Sequence, residues 1–268
     1  MRRAPRRLCW ADGQLLPLEI PVVRADDSAY SEGRGCYTTV RIQAGRPRFA
    51  ARHAHRLVHG AAELGLGPLE AGAVQRALAE LAKAAFDDGE GIVRLEVSRD
   101  GDGGLHLVGV PRELEPDRSA WSAVIAPFLH EGPGPRAGIK LTSRLRLALA
   151  AEIAREAGAD EALLLGASGW LVEGSRSAIV VVSQRGEART PPLERGAVAG
   201  VARAVALERV RELAEGDVGR VELGEAAEVI ALNAVRGALP ITRLDGRPIG
   251  NGKPGPWARR LAAALETD

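Results

Sequence analysis

The sequence predicts a mixed α/β (α+β) fold in two lobes, without the regular strand–helix alternation of a doubly wound sheet. Three observations support this prediction. The chain has 268 residues, enough for one large domain or two small ones. Helical and strand-like patterns follow each other irregularly along it. A stretch rich in proline and glycine, residues 111–138, interrupts these patterns near the middle and is typical of a connection between lobes.

The N-terminal half begins with two short apolar runs around the hairpin signal Asp12-Gly13. A β-branched, alternating segment follows and predicts a strand. Apolar residues at spacings of three and four then predict two amphipathic helices, and two further strands surround the glycine-rich turn that starts at Asp100. The expected strands are residues 8–10, 14–20, 36–43, 91–98 and 105–110, and the expected helices are residues 51–66 and 69–86.

The C-terminal half alternates less regularly between the two patterns. One apolar strand lies inside the proline-rich stretch, and a long helix follows Lys140. Two strands come next, with Glu173 between them, and then a helix that opens at Gly200. The expected strands are residues 120–128, 161–165, 177–183, 229–231 and 239–244, and the expected helices are residues 144–157, 200–214 and 257–266.

Composition excludes several classes of protein. Lys and Arg total 36 against 35 Asp and Glu, so the chain lacks the basic footprint of a nucleic-acid binder. Cys9 and Cys36 are too few for a disulfide framework or a zinc cluster, and a reduced, cytoplasmic setting is the simplest interpretation. Charged residues interrupt every apolar run, so no membrane span is predicted. The basic start has no apolar region behind it, so no signal peptide is expected.

Four features invite a chemical interpretation, and each has an ordinary alternative. Lys140 is either a solvated surface charge or a lysine whose apolar neighbours allow it to form an imine. Glu173 is either a turn carboxylate or a partner for a cofactor nitrogen. The helix start at Gly200 is either unremarkable or an anion site made of free backbone N–H groups. Arg56 is by itself an ordinary helix arginine.

Other candidate sites are weaker. His55 and His59 share a helix face, and His53 is close by, but no carboxylate ligand or His-Glu-x-x-His pattern accompanies them, so no metal site is expected. The glycine-rich turn at Asp100 lacks the pattern and the following helix of a nucleotide loop. The sequence has no Gly-x-Ser-x-Gly, and no Ser-His-Asp set is suggested.

Taken in order, these segments resemble the class IV (fold type IV) pyridoxal-phosphate enzymes, which include branched-chain and D-amino acid aminotransferases and aminodeoxychorismate lyase. The resemblance covers about residues 30–245. The segments that carry it are Gly35-Cys-Tyr-Thr-Thr-Val-Arg, His53-Ala-His-Arg-Leu, Lys140, the run from Ala159 to Ser175 around Trp170-Leu-Val-Glu-Gly, Thr190-Pro-Pro-Leu and Gly200-Val-Ala-Arg.

The resemblance implies a two-lobed fold similar to that of D-amino acid aminotransferase, with the cofactor between the lobes. The expected parts are a smaller N-terminal α/β lobe over residues 1–115, a linker region over 116–138 and a larger C-terminal lobe over 139–268 that binds pyridoxal 5′-phosphate. It also implies a homodimer and a small-molecule substrate. Charge and composition predict no nucleic-acid or membrane partner.

The resemblance also assigns roles to individual residues. Lys140 would carry the cofactor as a Schiff base and move protons, Glu173 would pair with the pyridine nitrogen, and Arg56 would grip the phosphate. Backbone groups at the start of the helix at Gly200 would complete the phosphate site. The further cofactor-binding residues that it implies are Gly200, Val201, Ala202, Asn233 and Ala234.

Within the family, two segments are most similar to aminodeoxychorismate lyase, namely Gly35-Cys-Tyr-Thr-Thr and Leu232-Asn-Ala-Val. That member eliminates pyruvate to give 4-aminobenzoate for folate synthesis. One of Thr38 and Thr39 would donate a proton, and strand alternation allows only one of them to face the pocket. Tyr37 would contact the substrate. The second arginine of the lyase pattern is missing after residue 99, so Arg99 is a substitute candidate for binding the substrate carboxylate.

The alternative function is a class IV aminotransferase acting on branched-chain or D-amino acids with 2-oxoglutarate. It would use the same Lys140, Glu173 and Arg56, so the cofactor residues do not separate the two reactions. A third hypothesis is an inactive family member that serves as a binding protein. Retention of Lys140 and Glu173 argues against that hypothesis.

Overall fold

The computed structural model of the chain describes residues 7–116 and 118–268. The basic start, residues 1–6, and Asp117 in the expected linker lie outside the described residues. The chain forms two compact units: the N-terminal unit is Met1–Pro116 with Ile139–Ser143, and the C-terminal unit is Asp117–Gly138 with Arg144–Asp268. Residues 118–138 of the expected linker thus belong to the C-terminal unit. The short segment that carries Lys140 belongs to the N-terminal unit, because it pairs with a strand there.

The N-terminal unit contains one antiparallel sheet of six strands. These are β1 (Leu8–Ala11), β2 (Gln14–Pro17), β3 (Cys36–Gln43), β4 (Arg46–Pro47), β5 (Gly91–Arg99) and β6 (Leu105–Arg112). Their order is β2-β1-β6-β5-β3-β4. The predicted hairpin is confirmed, because Asp12 and Gly13 both have positive φ, as the tight turn between β1 and β2 requires. The predicted strand over residues 36–43 is confirmed with the same bounds.

Two helices cover one face of this sheet. The helices of the unit are α1 (Ser28–Ser31), α2 (Ala50–Glu63) and α3 (Ala71–Phe86). Alternate residues of β3, among them Val40 and Ile42, point to the helices, which contribute Leu57 and Leu81 to the same buried core. The other face of β3, with Tyr37, Thr39 and Arg41, lies away from this core. This separation decides which side chains can serve a site.

The C-terminal unit contains a mixed sheet of nine strands. These are β7 (Trp121–Ile125), β8 (Glu161–Leu165), β9 (Leu171–Gly174), β10 (Ala178–Val182), β11 (Ala188–Thr190), β12 (Leu213–Glu215), β13 (Glu228–Asn233), β14 (Gly237–Leu244) and β15 (Arg247–Pro248). The order is β12-β11-β10-β13-β14-β7-β8-β9, and β15 pairs with β14. β7 lies parallel to both β8 and β14, and β11 is parallel to β12. The predicted mixed fold without regular alternation is confirmed.

The helices of the C-terminal unit are α4 (Leu145–Glu156), α5 (Val201–Arg209), α6 (Arg220–Gly224) and α7 (Pro256–Ala264), with a 3-10 turn at Leu193–Arg195. The predicted helix over residues 200–214 is too long. The backbone at Val210 is extended, and Leu213–Glu215 forms β12 beside β11 instead. Glu173, expected between strands, lies on β9. Pairing with neighbouring strands, which short windows of sequence do not reveal, explains both differences.

No helix within residues 7–116 and 118–268 is both long enough and apolar enough to cross a bilayer. The same residues hold no group of three or more His, Cys, Asp or Glu side chains arranged to bind a metal ion. Of the three histidines considered for a metal, His53 is fully buried whereas His55 and His59 are exposed.

Candidate active site

Lys140 is held against the N-terminal sheet by the residues on either side of it. Leu141 forms an antiparallel bridge with Cys36 at the start of β3. The Lys140 carbonyl accepts the Tyr37 N–H at 2.9 Å, and the Thr142 N–H donates to the Gly35 carbonyl at 2.9 Å. The segment around Lys140 therefore continues the hydrogen-bonding pattern of β3, and these bonds hold the Lys140 backbone in place.

The Lys140 side chain lies over an aromatic ring that a second cation also contacts. Its Nζ is 4.8 Å from the centroid of the Tyr37 ring, and the Arg94 guanidinium carbon is 3.8 Å from the same centroid. Arg94 follows from the register of the sheet, because β5 pairs Arg94 with Thr39 and Glu96 with Tyr37. Arg94 also donates through Nε to the Glu96 carboxylate. A lysine and an arginine thus converge on one buried tyrosine.

Arg56 belongs to a buried network on the opposite face of β3. Its Nη2 donates to the Thr38 hydroxyl oxygen, and that oxygen lies 2.6 Å from His53 Nδ1. His53 and Arg56 are three residues apart on α2 and so share one face of the helix. Thr38 is fully buried, whereas Thr39 on the other face is only half-buried. The Thr38 hydroxyl is therefore engaged with Arg56 and His53.

This network has two enclosed nitrogen atoms without partners. Arg56 Nε and His53 Nε2 form no hydrogen bond with any of the described residues. Burial lowers the pKa of Arg56 to about 10, so the guanidinium is still charged at neutral pH. Burial, with a smaller contribution from the charges of Arg56 and Lys140, holds the pKa of His53 well below its usual value. The result is a cationic region around a neutral histidine, which favours anions.

Glu173 is buried in the C-terminal unit, and each of its oxygens accepts a hydrogen bond. Oε1 lies 3.3 Å from His130 Nε2, and Oε2 accepts the Val198 N–H at 3.1 Å. Because Glu173 is on β9 and is only 5% exposed, the protein determines its orientation rather than bulk solvent. A carboxylate oxygen has room for a second hydrogen bond, so a further donor can bind to Glu173.

The chain immediately after Glu173 is held by a second buried carboxylate. Glu161 Oε1 accepts from the N–H and hydroxyl of Ser175, and Oε2 accepts from the Ser177 hydroxyl at 2.6 Å. The tight corner at Gly174 brings these serines onto Glu161. The corner between β9 and β10 is therefore rigid, which fixes the position of Glu173 at its start.

The start of α5 presents backbone N–H groups. Gly200 is the N-cap, and among the described residues no side chain caps the helix there. Val201 and Ala202 form its first turn and are buried. A helix N-terminus of this kind carries a partial positive charge and suits a phosphate group.

The remaining predicted residues lie in turns and at strand ends. Asn233 ends β13, and its Oδ1 accepts the N–H groups of Val235 and Arg236 at 3.1 and 2.8 Å. This side chain shapes the turn that contains Ala234. Arg99 ends β5 with an exposed side chain, and its backbone N–H donates to the Ser28 hydroxyl at 2.9 Å.

Comparison with known proteins identifies the family. The model of the family described as amino-transferase class IV matches residues 35–244, most of the chain. The chain belongs to the class IV aminotransferase family. This family member is 26% identical to the D-alanine aminotransferase of Bacillus licheniformis, over 95% of this chain and 94% of the relative.

Solved structures agree with this family member's fold. A branched-chain aminotransferase from Thermoproteus uzoniensis superimposes with a TM-score of 0.87 at 24% identity, covering 97% of this chain and 93% of that one. A hypothetical aminotransferase from Mycobacterium tuberculosis, in a PLP-bound form, gives a TM-score of 0.83 at 22% identity, with 97% of each chain covered. At these identities the likeness supports the fold: the predicted α/β architecture of fold type IV is confirmed.

Sequence reasoning missed three residues of the family member's candidate site. His53 was considered only for a metal, although its spacing from Arg56 is a signal that could have placed both on one helix face. Arg94 shares the outward face of the sheet with Tyr37 through its pairing in β5, which a single strand pattern does not reveal. His130 lies in the proline-rich stretch, where no local pattern points to it.

Proposed function

We propose that this class IV family enzyme is an aminotransferase, which moves the amino group of a small amino acid to a 2-oxoacid. The observation that carries the proposal is the placement of Lys140. Its backbone is hydrogen-bonded to β3, and its Nζ lies over the Tyr37 ring. Support comes from the relatives, because a D-alanine aminotransferase and a branched-chain aminotransferase are both matched over most of their length.

Pyridoxal 5′-phosphate is the cofactor, and the residues present fit it. Its phosphate requires cationic and N–H donors, and Arg56 Nε is an enclosed donor without a partner among the described residues. The uncapped start of α5 offers further N–H donors. Its pyridine nitrogen requires a buried carboxylate with capacity for another donor, as Glu173 has. When bound, the cofactor supplies an electrophilic carbon for amines and a ring that withdraws electrons from them.

Each residue then has a defined task. Lys140 would hold the cofactor through Nζ, and its amine would move a proton to and from the substrate carbon. Arg56 and the N–H groups of Val201 and Ala202 are the groups that would hold the phosphate. Glu173 would accept the hydrogen bond of a protonated pyridine nitrogen, which would favour the electron-withdrawing form of the ring.

Arg94 is the better candidate for the substrate carboxylate than Arg99. Its guanidinium stacks on the ring that Lys140 Nζ also contacts, whereas Arg99 has an exposed side chain at the end of its strand. A planar guanidinium binds a carboxylate with two parallel hydrogen bonds. We therefore propose that Arg94, beside Tyr37, orients the amino acid toward Lys140.

Covalent trapping provides the direct test, because the chain has only three lysines: Lys83, Lys140 and Lys253. Borohydride reduction of the enzyme with its cofactor should label Lys140 in a peptide map and leave the other two lysines unlabelled. Lys140→Ala should lower amino transfer from D-alanine or a branched-chain amino acid to 2-oxoglutarate by at least about a hundredfold. Lys83→Ala, at an exposed lysine on α3, is the matched control. Label on another lysine, or no transfer from either donor, would overturn the proposal.

A second candidate is the aminodeoxychorismate lyase reaction. The observation that favours it is Thr39, which lies on the same face of β3 as Tyr37, the ring that Lys140 Nζ contacts. Thr38 is bound to Arg56 and His53, so Thr39 is the better proton donor for the departing enolpyruvyl group. The resemblance of the Asn233-Ala234 segment adds support. Release of 4-aminobenzoate and pyruvate from aminodeoxychorismate, faster than any amino transfer, would favour this reaction.

We also propose a homodimer in a reducing, cytoplasmic setting. Large apolar side chains are exposed along residues 15–30 of the N-terminal unit, as expected of a surface that a second copy covers. Cys9 and Cys36 are both buried and unpaired. Burial raises the pKa of Cys36 to about 12, so this thiol is unreactive and needs no oxidising compartment.

A further inference from the structure

His130 is held rigidly beside Glu173 by contacts at both its backbone and its ring. The His130 N–H donates to the Leu165 carbonyl at the end of β8, at 2.8 Å. Two residues further on, the Gly132 N–H donates to His130 Nδ1 at 3.0 Å. The ring is therefore locked by its own loop, and its other nitrogen points to Glu173 Oε1 at 3.3 Å.

These contacts define which nitrogen carries the hydrogen. Nδ1 accepts a backbone N–H, so it bears no hydrogen itself. The ring is then neutral, with its hydrogen on Nε2, the only arrangement in which it donates to Glu173. Val198 N–H occupies the other carboxylate oxygen. Glu173 thus has two neutral donors, one on each oxygen, and no Lys or Arg side chain among the described residues forms an ion pair with it.

We propose that His130 is a positioning residue, which orients Glu173 through Nε2–H so that the carboxylate keeps the pyridine nitrogen of the cofactor protonated. The proposal rests on the function proposed above for Glu173. A neutral donor fits this task better than a cation. It fixes the direction of the carboxylate without neutralising it, so the negative charge stays available to the pyridine N–H.

The alternative is that His130 only packs its loop against the strand. Two variants separate the two roles. His130→Phe keeps a flat ring of similar size but removes both nitrogens. His130→Gln restores an N–H near the position of Nε2, on a side chain that the loop can accommodate. A packing role predicts that Phe substitutes well and Gln poorly, whereas a positioning role predicts the reverse.

The test is reconstitution of the wild type, His130→Phe, His130→Gln and Glu173→Gln with pyridoxal phosphate labelled with ¹⁵N in the ring. The ¹⁵N chemical shift reports directly whether the pyridine nitrogen carries a proton. We expect the protonated signal in the wild type and in His130→Gln, and a shift toward the unprotonated signal in His130→Phe. Turnover of His130→Phe should fall about tenfold, the effect of losing one hydrogen bond to a charged group, and His130→Gln should recover most of it.

Each outcome separates the two claims. If His130→Phe keeps the protonated signal and wild-type turnover while Glu173→Gln loses both, the proposal for His130 is wrong and the role of Glu173 stands. If Glu173→Gln also keeps the protonated signal, or if the wild type binds no cofactor, the function proposed above for Glu173 is itself contradicted. Thermal unfolding of each variant shows whether a lost signal or lower turnover reflects misfolding. If His130→Gln is folded and its pyridine nitrogen is unprotonated, the proposal for His130 is wrong.

Discussion

The hydroxyl of Thr38 links two side chains that approach it from α2. It accepts a hydrogen bond from Arg56 and contacts His53, all within the N-terminal unit. Because the proposed phosphate ligand depends on this hydroxyl for its orientation, Thr38 acts through Arg56 rather than on the substrate. Its effect should therefore depend on whether the cofactor has a phosphate.

Thr38→Val should weaken binding of pyridoxal phosphate by about tenfold, because a buried guanidinium N–H loses its acceptor at a cost of ~1–3 kcal/mol. Binding of pyridoxal, which lacks the phosphate, should change little. Fluorescence titration of the apoenzyme with each compound measures both affinities. Thr38→Ser keeps the hydroxyl and serves as the control. Equal weakening for the two compounds would contradict a role through the phosphate.

His53 should make the free energy of unfolding depend on pH. Its pKa in the folded protein lies well below the ordinary value near ~6.5, so below that pH only the unfolded chain takes up the proton. Stability from this residue is thus present above pH ~6.5 and lost below it, by up to ~1.4 kcal/mol per pH unit. Urea unfolding at about pH 7 and about pH 5 should show that the free energy of unfolding falls less in His53→Gln than in the wild type.

The control for this experiment lies on the same helix. His55 is exposed, so His55→Gln is the matched control for replacing a histidine of α2. If the free energy of unfolding falls equally with pH in the wild type and in His53→Gln, a group other than His53 causes the pH dependence.

At the residue scale, the sequence predicted the charged members of the candidate site better than their partners. Lys140, Arg56 and Glu173 belong to short segments whose order along the chain resembles a family. His130 and Arg94 become informative only through contacts across a loop and across a strand pair. Such contacts depend on register and loop conformation, which no local pattern encodes.

Among the elements, the corner between β9 and β10 is the most tightly constrained near the candidate site. A Cβ added at Gly174 would lie 2.6 Å from the Ser177 hydroxyl and 2.9 Å from the Glu161 carboxyl carbon. Those atoms are joined to each other by buried hydrogen bonds and are not free to move apart. The corner thus requires glycine because of close packing, and Glu173 directly precedes it.

Gly174→Ala should lower the free energy of unfolding by ~1–3 kcal/mol, the usual effect of overpacking a buried site. It should also weaken pyridoxal phosphate binding, because Glu173 would shift with the corner. Denaturant unfolding measures the first effect and titration the second. Gly224→Ala is the matched control, since a Cβ there meets no atom within 4 Å and the residue ends α6. Similar losses in the two variants would contradict the packing argument.

Element prediction succeeded where one strong pattern decided the structure. The period-two segment of β3 and the apolar faces of α2 and α3 are examples, because burial of one face requires that periodicity. It failed where pairing decided instead. The predicted helix runs to residue 214, yet Leu213–Glu215 pairs with β11 in parallel.

On the scale of the whole molecule, five of the nine exposed large apolar side chains among the described residues lie in one segment of the N-terminal unit. Leu15, Leu18, Ile20 and Val23 are between 44% and 51% exposed, and Tyr30 is 74% exposed. Apolar patches of this kind on a single chain usually mark a surface that another molecule covers. Because the proposed assembly contains two identical chains, this segment is a strong candidate for the contact.

Light scattering should give about twice the mass of one 28.2 kDa chain. Ile20→Glu should shift the equilibrium toward the single chain, because it would bury a charge in the contact. Val221→Glu is the control, since Val221 is 71% exposed on α6 in the other unit. A single-chain mass for the wild type, or equal dissociation in both variants, would contradict the proposed contact.

The two-lobed organisation was expected, but the course of the chain between the units was not. The proline-rich stretch resembled a linker, whereas part of it forms β7 in the middle of the C-terminal sheet. Residues 139–143 return to the N-terminal unit because β3 offers them free backbone partners. Composition alone does not distinguish a linker from a strand that pairs with distant segments.

That return has a consequence for synthesis of the protein on the ribosome. Chains emerge N-terminus first, and early parts begin to fold while later parts are still being made. Residues up to 116 can collapse around their own core, but their sheet lacks the contribution of Ile139–Ser143 until that segment leaves the exit tunnel. The pairing of Leu141 with Cys36 spans about a hundred residues and closes late. The nascent N-terminal unit therefore acquires its proposed nucleophile last, and a ribosome stalled before residue 139 carries a unit without it.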